Sequence, residues 1–249
     1  MGKIDTRFVC QKCGYVSVKS LGHCPNCGEW NTFLEEIRRV PSERNVSKSL
    51  QNATPLSSLK DLSEERIPSG IGEFDRVLGG GIVKGSLVLL GGEPGIGKST
   101  LLLDLAKGLL DKAKVVLYVS GEESGRQLGL RAERLNISSD SLFILFETDI
   151  DAISKEIERL KPSLVIIDSI QTMEKTDIPS ATGSVTQVRE CTVQLMNYAK
   201  TYNVPIFLIS HVTKEGTIAG PKTLEHLVDV VLYLEGERYN VYSCLLYTS

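Results

Sequence analysis

The sequence contains no apolar run near the roughly 20 residues that a membrane-crossing helix requires. Its opening stretch, MGKIDTRFVC, has no apolar core of signal-peptide length, so secretion is not expected. Neither sign of charge dominates. Lys and Arg number 28 against 31 Asp and Glu, a formal charge of −3. Bulk charge therefore gives no hint of nucleic-acid binding, and any such contact must come from local loops. No internal repeat is found. Apolar residues still make up 41% and charged residues 24%, which excludes disorder along the whole chain and a collagen-like repeat. A length of 249 residues suits one large domain, or one domain with small modules. These features predict a cytoplasmic protein with no membrane association.

Six cysteines are present, and four fall in two doublets: Cys10 and Cys13, then Cys24 and Cys27. Each doublet spans two residues and ends in glycine, as CQKCG and CPNCG. Two thiolates at this spacing can grip one metal from a tight turn, and the glycine relieves the turn. Together the doublets supply a closed tetrahedral shell for Zn2+, with no position left for a catalytic water. Two disulfides are the alternative, but a cytosolic chain rarely keeps them. A redox doublet is expected singly, near a βαβ pattern. Residues 1–36 are thus expected to form a zinc ribbon stabilised largely by its metal, with Trp30 and Phe33 packed on it. Residues 37–66 are rich in Ser, Asn and charge and read as a linker.

From Ile67 onward short apolar runs alternate with helical patterns. Strands are expected at Ser86–Gly91, Val115–Ser120, Leu142–Phe146, Leu164–Asp168, Ile206–Ser210 and Val230–Leu234. Helices are expected near Ser99–Leu110, Gly125–Leu135, Ala152–Leu160 and Val185–Tyr202. Runs such as LVLL, VVLYV, LVII and IFLI are apolar at every position, as in strands covered on both faces. The pattern predicts an α/β domain over residues 67–242 with a mostly parallel sheet. Ligands in such sheets bind beyond the carboxyl ends of the strands.

Gly92, Glu93, Pro94, Gly95, Ile96, Gly97, Lys98 and Ser99 match G-x-x-x-x-G-K-[ST], between a strand and a leucine-rich helix. Backbone N–H groups of such a loop face the phosphates of ATP, and the helix N-terminus adds partial positive charge. Lys98 reaches the β- and γ-phosphates, Ser99 can bind Mg2+, and Thr100 stands near the α-phosphate. Asp168, ending LVIID, can hold the Mg2+ shell through water. Glu122 and Glu123 follow VVLYVS, where a carboxylate can polarise the attacking water. Glu122 is the better placed candidate, although both acids suit a helix N-terminus. His211 follows IFLIS, where a polar group can feel the γ-phosphate; a surface histidine is the plainer reading.

These residues resemble the RadA (Sms) family of bacterial DNA repair proteins, relatives of the RecA recombinases. The resemblance rests on CQKCG…CPNCGEWNTF, on SGIGEFDRVLGGGIVKGSLVLLGGEPGIGKSTLLL and on ISHVTKEGTIAGPKTLEHLVDVVLYLEGER, with GEES and LVIIDSIQT between them. It implies a RecA-like P-loop ATPase core that assembles as a homo-oligomeric ring on single-stranded or branched DNA. It also implies ATP-driven branch migration, repair of recombination intermediates or stalled forks, and contact with recombinase and replication-fork proteins. By position Glu122 would be the catalytic carboxylate and Asp168 the second nucleotide motif, with Gln171 and His211 on the γ-phosphate side. Lys175–Arg189, centred on SATGSVTQ, resembles one mobile DNA-facing loop and Thr213–Lys222 a second. A nucleotide-gated scaffold with little hydrolysis is an alternative, as is a RecA-fold ATPase of the clock or replicative-helicase branches, against which the ribbon argues.

The family continues into a Lys-Asn-Arg-Phe-Gly motif and a Lon-protease-like domain, neither of which is present in this sequence. Residues 243–249, SCLLYTS, resemble translated sequencing adaptor and are expected to be foreign. The strand at Val230–Leu234 is then expected to be an unpaired edge. Residues 1–249 are expected to bind nucleotide but turn it over weakly, because the cation supplied across ring interfaces would be missing.

Overall fold

The computed structural model describes residues 4–39, 65–112, 114–211, 224–236 and 243–248. The N-terminal unit is a small antiparallel sheet. It contains β1 (Ile4–Cys10), β2 (Val16–Ser17) and β3 (Phe33–Arg39), with β1 in the centre. The first cysteine doublet sits in the turn leaving β1, where the Gly14 amide donates to the Cys10 carbonyl at 2.8 Å. The Gly28 amide donates to the Cys24 carbonyl at 2.9 Å in the same way. Both glycines have positive φ, 74° and 73°, which explains their place after each doublet. Phe33 meets Tyr15 edge-on, with ring centroids 6.4 Å apart. Trp30 departs from the expected packing. It lies against His23 but remains 70% exposed. Most of the expected linker, residues 40–64, lies outside the described residues. Its two ends are strands: β3 runs on to Arg39, and Arg66 begins β4 (Arg66–Ile67).

The larger unit continues through α1 (Gly72–Val77), β5 (Ile82–Val83), β6 (Leu87–Gly91), α2 (Lys98–Leu110), β7 (Val116–Ser120) and α3 (Gly125–Arg134). It is completed by β8 (Leu142–Leu145), α4 (Ile150–Leu160), β9 (Leu164–Asp168), α5 (Val185–Tyr202), β10 (Ile206–Ile209), β11 (Val230–Gly236) and β12 (Ser243–Thr248). Its main sheet has seven strands in the order β12-β11-β6-β10-β9-β7-β8. All neighbours are parallel except β12, which runs antiparallel to β11. This is the mostly parallel α/β architecture that the sequence predicts. The edge expectation is overturned. Val230–Gly236 is hydrogen-bonded to β6 on one side and to β12 on the other, with Leu232 opposite Tyr247. The segment expected to be foreign supplies that covering strand.

The wholly apolar strands divide their side chains between two faces. Leu87, Leu89, Leu117, Val119, Val165 and Ile167 pack on the side of α4 and α5. Val88, Leu90, Val116, Tyr118, Leu164 and Ile166 pack on the side of α2 and α3. Each strand is therefore buried on both faces, and alternation disappears from the sequence. α3 starts on a capping box, in which Ser124 and Gln127 exchange side-chain and backbone hydrogen bonds. α4 is capped by Asp149, whose side chain accepts from the Asp151 amide. Among the described residues, no helix is long and apolar enough to cross a membrane.

One helical glycine is explained by contact rather than by conformation. A Cβ on Gly108 of α2 would stand 2.0 Å from the Ser69 carbonyl oxygen. Alanine gains about 1 kcal/mol of helix propensity over glycine, but this contact is with backbone and cannot swing aside. Gly108→Ala is therefore expected to destabilise the core by about 1–3 kcal/mol, read as a lower urea midpoint. A raised midpoint would show that propensity prevails.

Candidate functional site

The sheet order brings the tips of β6, β10, β9 and β7 side by side at their carboxyl ends. The loop from Gly92 to Gly97 leaves β6 and turns into α2. Its glycines take conformations that side chains resist, with φ of 150°, 80° and 106° at Gly92, Gly95 and Gly97. A Cβ on Gly92 would also press on the Leu234 carbonyl oxygen at 2.6 Å. Glu93, Pro94 and Gly95 are exposed at the crest of the loop, with Ile96 half-buried.

Lys98 opens α2 and is only 4% exposed. Its Nζ donates to the Gly92 carbonyl at 2.8 Å and the Glu93 carbonyl at 2.9 Å. An ammonium has three donors, so these bonds leave one to offer. Burial lowers the Lys98 pKa, and the charges of Asp168 and Glu122 oppose that shift. Ser99 is half-buried and Thr100 exposed on the first turn of the same helix.

Asp168 ends β9 and is 3% exposed. Its Oδ2 accepts a hydrogen bond from the Tyr118 hydroxyl. The next strand over, β7, delivers Glu122 to the same edge. Ser169 Oγ donates to Glu122 Oε1, and His211 Nε2 lies 3.2 Å from Glu122 Oε2. The His211 contact is the chief cause that lowers the Glu122 pKa, with Ser169 and Lys98 adding to it against burial. Glu123 turns elsewhere, to Arg131 at 2.7 Å. Gln171 donates to Ser210 Oγ at 2.6 Å. Its Oε1 and His211 Nδ1 are buried and have no partner among the described residues. Polar atoms of that kind suit a site that receives a polar ligand.

Lys98, Glu122, Asp168, Gln171 and His211 thus share one edge. Ser169 and Tyr118 were not singled out in the sequence. The hydroxyl of LVIIDS and the tyrosine inside an apolar strand are the signals that could have marked them. The first expected DNA-facing loop is shorter than read, since Val185–Arg189 is already helix. It is also firmly held. Gln187, 2% exposed, donates to the carbonyls of Lys175, Ile178 and Ser180 and accepts from the Lys175 amide. Lys175 Nζ donates to Gln194. The second expected loop, residues 213–222, lies outside the described residues.

In the ribbon, Sγ atoms of Cys10 and Cys27 are 3.7 Å apart, and those of Cys13 and Cys24 are 3.5 Å apart. All four lie within 4.8 Å of one another, and none is in a disulfide. Sulfurs of a tetrahedral Zn2+ shell sit about 3.8 Å apart, as bonds of about 2.3 Å require. The cysteines therefore fit a closed metal shell.

Residues 53–217 match the family described as an AAA domain, and residues 8–35 match a rubredoxin metal binding domain. The chain belongs to the AAA-domain family and carries a four-cysteine ribbon ahead of it. Its relatives narrow the class. It is 53% identical over 251 residues to the DNA repair protein RadA of Bacillus subtilis, covering 98% of this chain and 55% of that protein. It is 52% identical over 246 residues to the DNA repair protein RadA of Listeria monocytogenes, covering 98% and 54%. These matches bear out the resemblance carried by the motifs. The chain spans about half the length of the curated relatives it matches.

The lowered Glu122 pKa makes the His211 contact a stabilising one near neutrality. That contribution is lost as pH falls through the depressed Glu122 value. His211→Ala is expected to move the Glu122 pKa upward, toward the ordinary carboxylate range, in a carbon-13 NMR titration of the side-chain carboxyl. An unchanged titration would show that Ser169 and Lys98 alone set it.

Proposed function

We propose that this chain is the ATP-hydrolysing part of a DNA repair motor of the RecA type. The observation that carries the reading is the meeting of Lys98, Asp168 and Glu122 at one sheet edge, with Glu122 held by Ser169 and His211. Backbone amides of the loop at Gly92–Gly97 bind the phosphates of ATP, and Lys98 turns its ammonium to them. Ser99 and Asp168 offer the oxygen donors that Mg2+ prefers, and Mg2+ supplies charge neutralisation at the phosphates. Glu122 accepts a proton from the attacking water, and its lowered pKa keeps it ionised for that task. His211 and Gln171 stand where the γ-phosphate would end and pass its presence to the segment after β10. Zn2+ is the metal of the ribbon, where it has a structural role.

The similarity to RadA proteins supports action on single-stranded or branched DNA. Branch migration and fork processing in the cytoplasm, by a ring of subunits working with recombinase and fork proteins, are the finer reading. Measuring ATP hydrolysis with and without single-stranded DNA tests the motor reading: stimulation by DNA supports it, and turnover indifferent to DNA favours the nucleotide-gated scaffold.

Two substitutions separate the acids. Glu122→Gln is expected to leave nucleotide binding intact and slow hydrolysis by about 100-fold or more, since an amide cannot act as a base. Glu123→Gln is expected to lose only its contact with Arg131. The opposite ranking in single-turnover hydrolysis would transfer the role to Glu123.

The ribbon gives a separate expectation. Purified protein should hold about one Zn2+ per chain by elemental analysis. Cys24→Ser should release it while nucleotide binding by the core persists. Protein free of metal would remove the assignment.

A further inference from the structure

Tyr118 is an odd residue for its place. It lies in the middle of β7 with none of its surface exposed, among Val116, Leu164, Ile166 and Leu103. A strand interior that needed only volume would be filled by phenylalanine, which buries no polar atom. The extra oxygen requires a partner, and it finds one in Asp168 Oδ2. The Ser99 hydroxyl faces the same phenol oxygen. The β7–β9 register explains the reach. Ser120 is opposite Asp168, so Tyr118 lies two residues below the carboxylate on the same face, under the start of α2. A phenol carries its proton near neutral pH, so the group acts as a donor there.

We propose that Tyr118 is a positioning residue for the divalent cation that accompanies the nucleotide. The inference rests on the ATP and Mg2+ reading given above. One carboxylate oxygen of Asp168 is tied down by the phenol, which fixes the plane of the carboxyl and leaves Oδ1 for other partners. Ser99, the other oxygen donor, lies nearby on the first turn of α2. Groups that orient metal ligands in this way commonly change metal affinity by about 10–100-fold when removed. Glu122, the proposed base, is held by Ser169 and His211. Tyr118 therefore acts on the metal side of the site, apart from proton transfer.

The test compares the native chain with Tyr118→Phe, using a fluorescent ADP analogue. Its binding is measured in EDTA and then across a range of Mg2+ concentrations, with Mn2+ uptake by the nucleotide complex followed by electron paramagnetic resonance. The expected result is unchanged affinity in EDTA and about a tenfold rise in the Mg2+ and Mn2+ concentrations for half-saturation. Equal half-saturation in the two proteins would overturn the proposal. A variant that loses affinity equally in EDTA would also overturn it, because the phenol would then support only the fold. A native chain that binds the analogue without any effect of metal would instead sink the ATP and Mg2+ reading, an outcome visible before the variant is compared.

Discussion

A strand covered on both faces can carry a charge only where it ends. Six parallel strands of this sheet are largely apolar along their length, and their charged groups lie at or beyond the tips. Because the strands run the same way, the carboxyl tips face one edge, and the chemistry gathers there. The strand order then sets the neighbours. β6 carries the phosphate loop and is separated from the Asp168 strand by β10.

The electrostatics of this edge are those of a buried cation balanced by two carboxylates. Lys98 cannot be taken from water unaided, and its pKa falls with burial. Gly92 and Glu93 carbonyls solvate it, while Asp168 and Glu122 supply opposing charge. Each acid has its own keeper. Asp168 accepts from the phenol of Tyr118. Glu122 is bound by a hydroxyl and a histidine, which favour its charged form. Two acids a few residues from strand ends thus acquire different surroundings, and different surroundings allow different tasks.

Much of this was legible in the sequence because the signals are local. The phosphate loop is a contiguous run between a strand and a helix, and the cysteine doublets carry their turn glycines beside them. Helix α5 matched its expected bounds, Val185–Tyr202, because Ser184 caps it at one end and Asn203 ends it at the other with φ of 54°. Long-range relations were not legible. Glu122 and His211 are 89 residues apart in sequence, and Tyr118 and Asp168 are 50 apart. Nothing in the chain near Tyr118 announces a polar partner. Likewise, a strand seen as an edge gained a neighbour from residues 243–248, a pairing that depends on register across a gap rather than on pattern. Glycine and serine in SATGSVTQ suggested slack, yet the glutamine in the same string draws the loop tight.

That glutamine makes the loop and helix a single mechanical part. Gln187 belongs to the first turn of α5, and its one amide group is shared among the carbonyls of Lys175, Ile178 and Ser180. At the other end of α5, Lys200 grips Asp229 at 2.6 Å, and Asp229 accepts from the Leu87 amide at the root of β6. An 18-residue helix is about 27 Å long. It therefore works as a rod pinned at one end to the strand that feeds the phosphate loop and at the other to the loop around Ile178. A shift of its pinned root arrives at the far loop as displacement rather than as loosening.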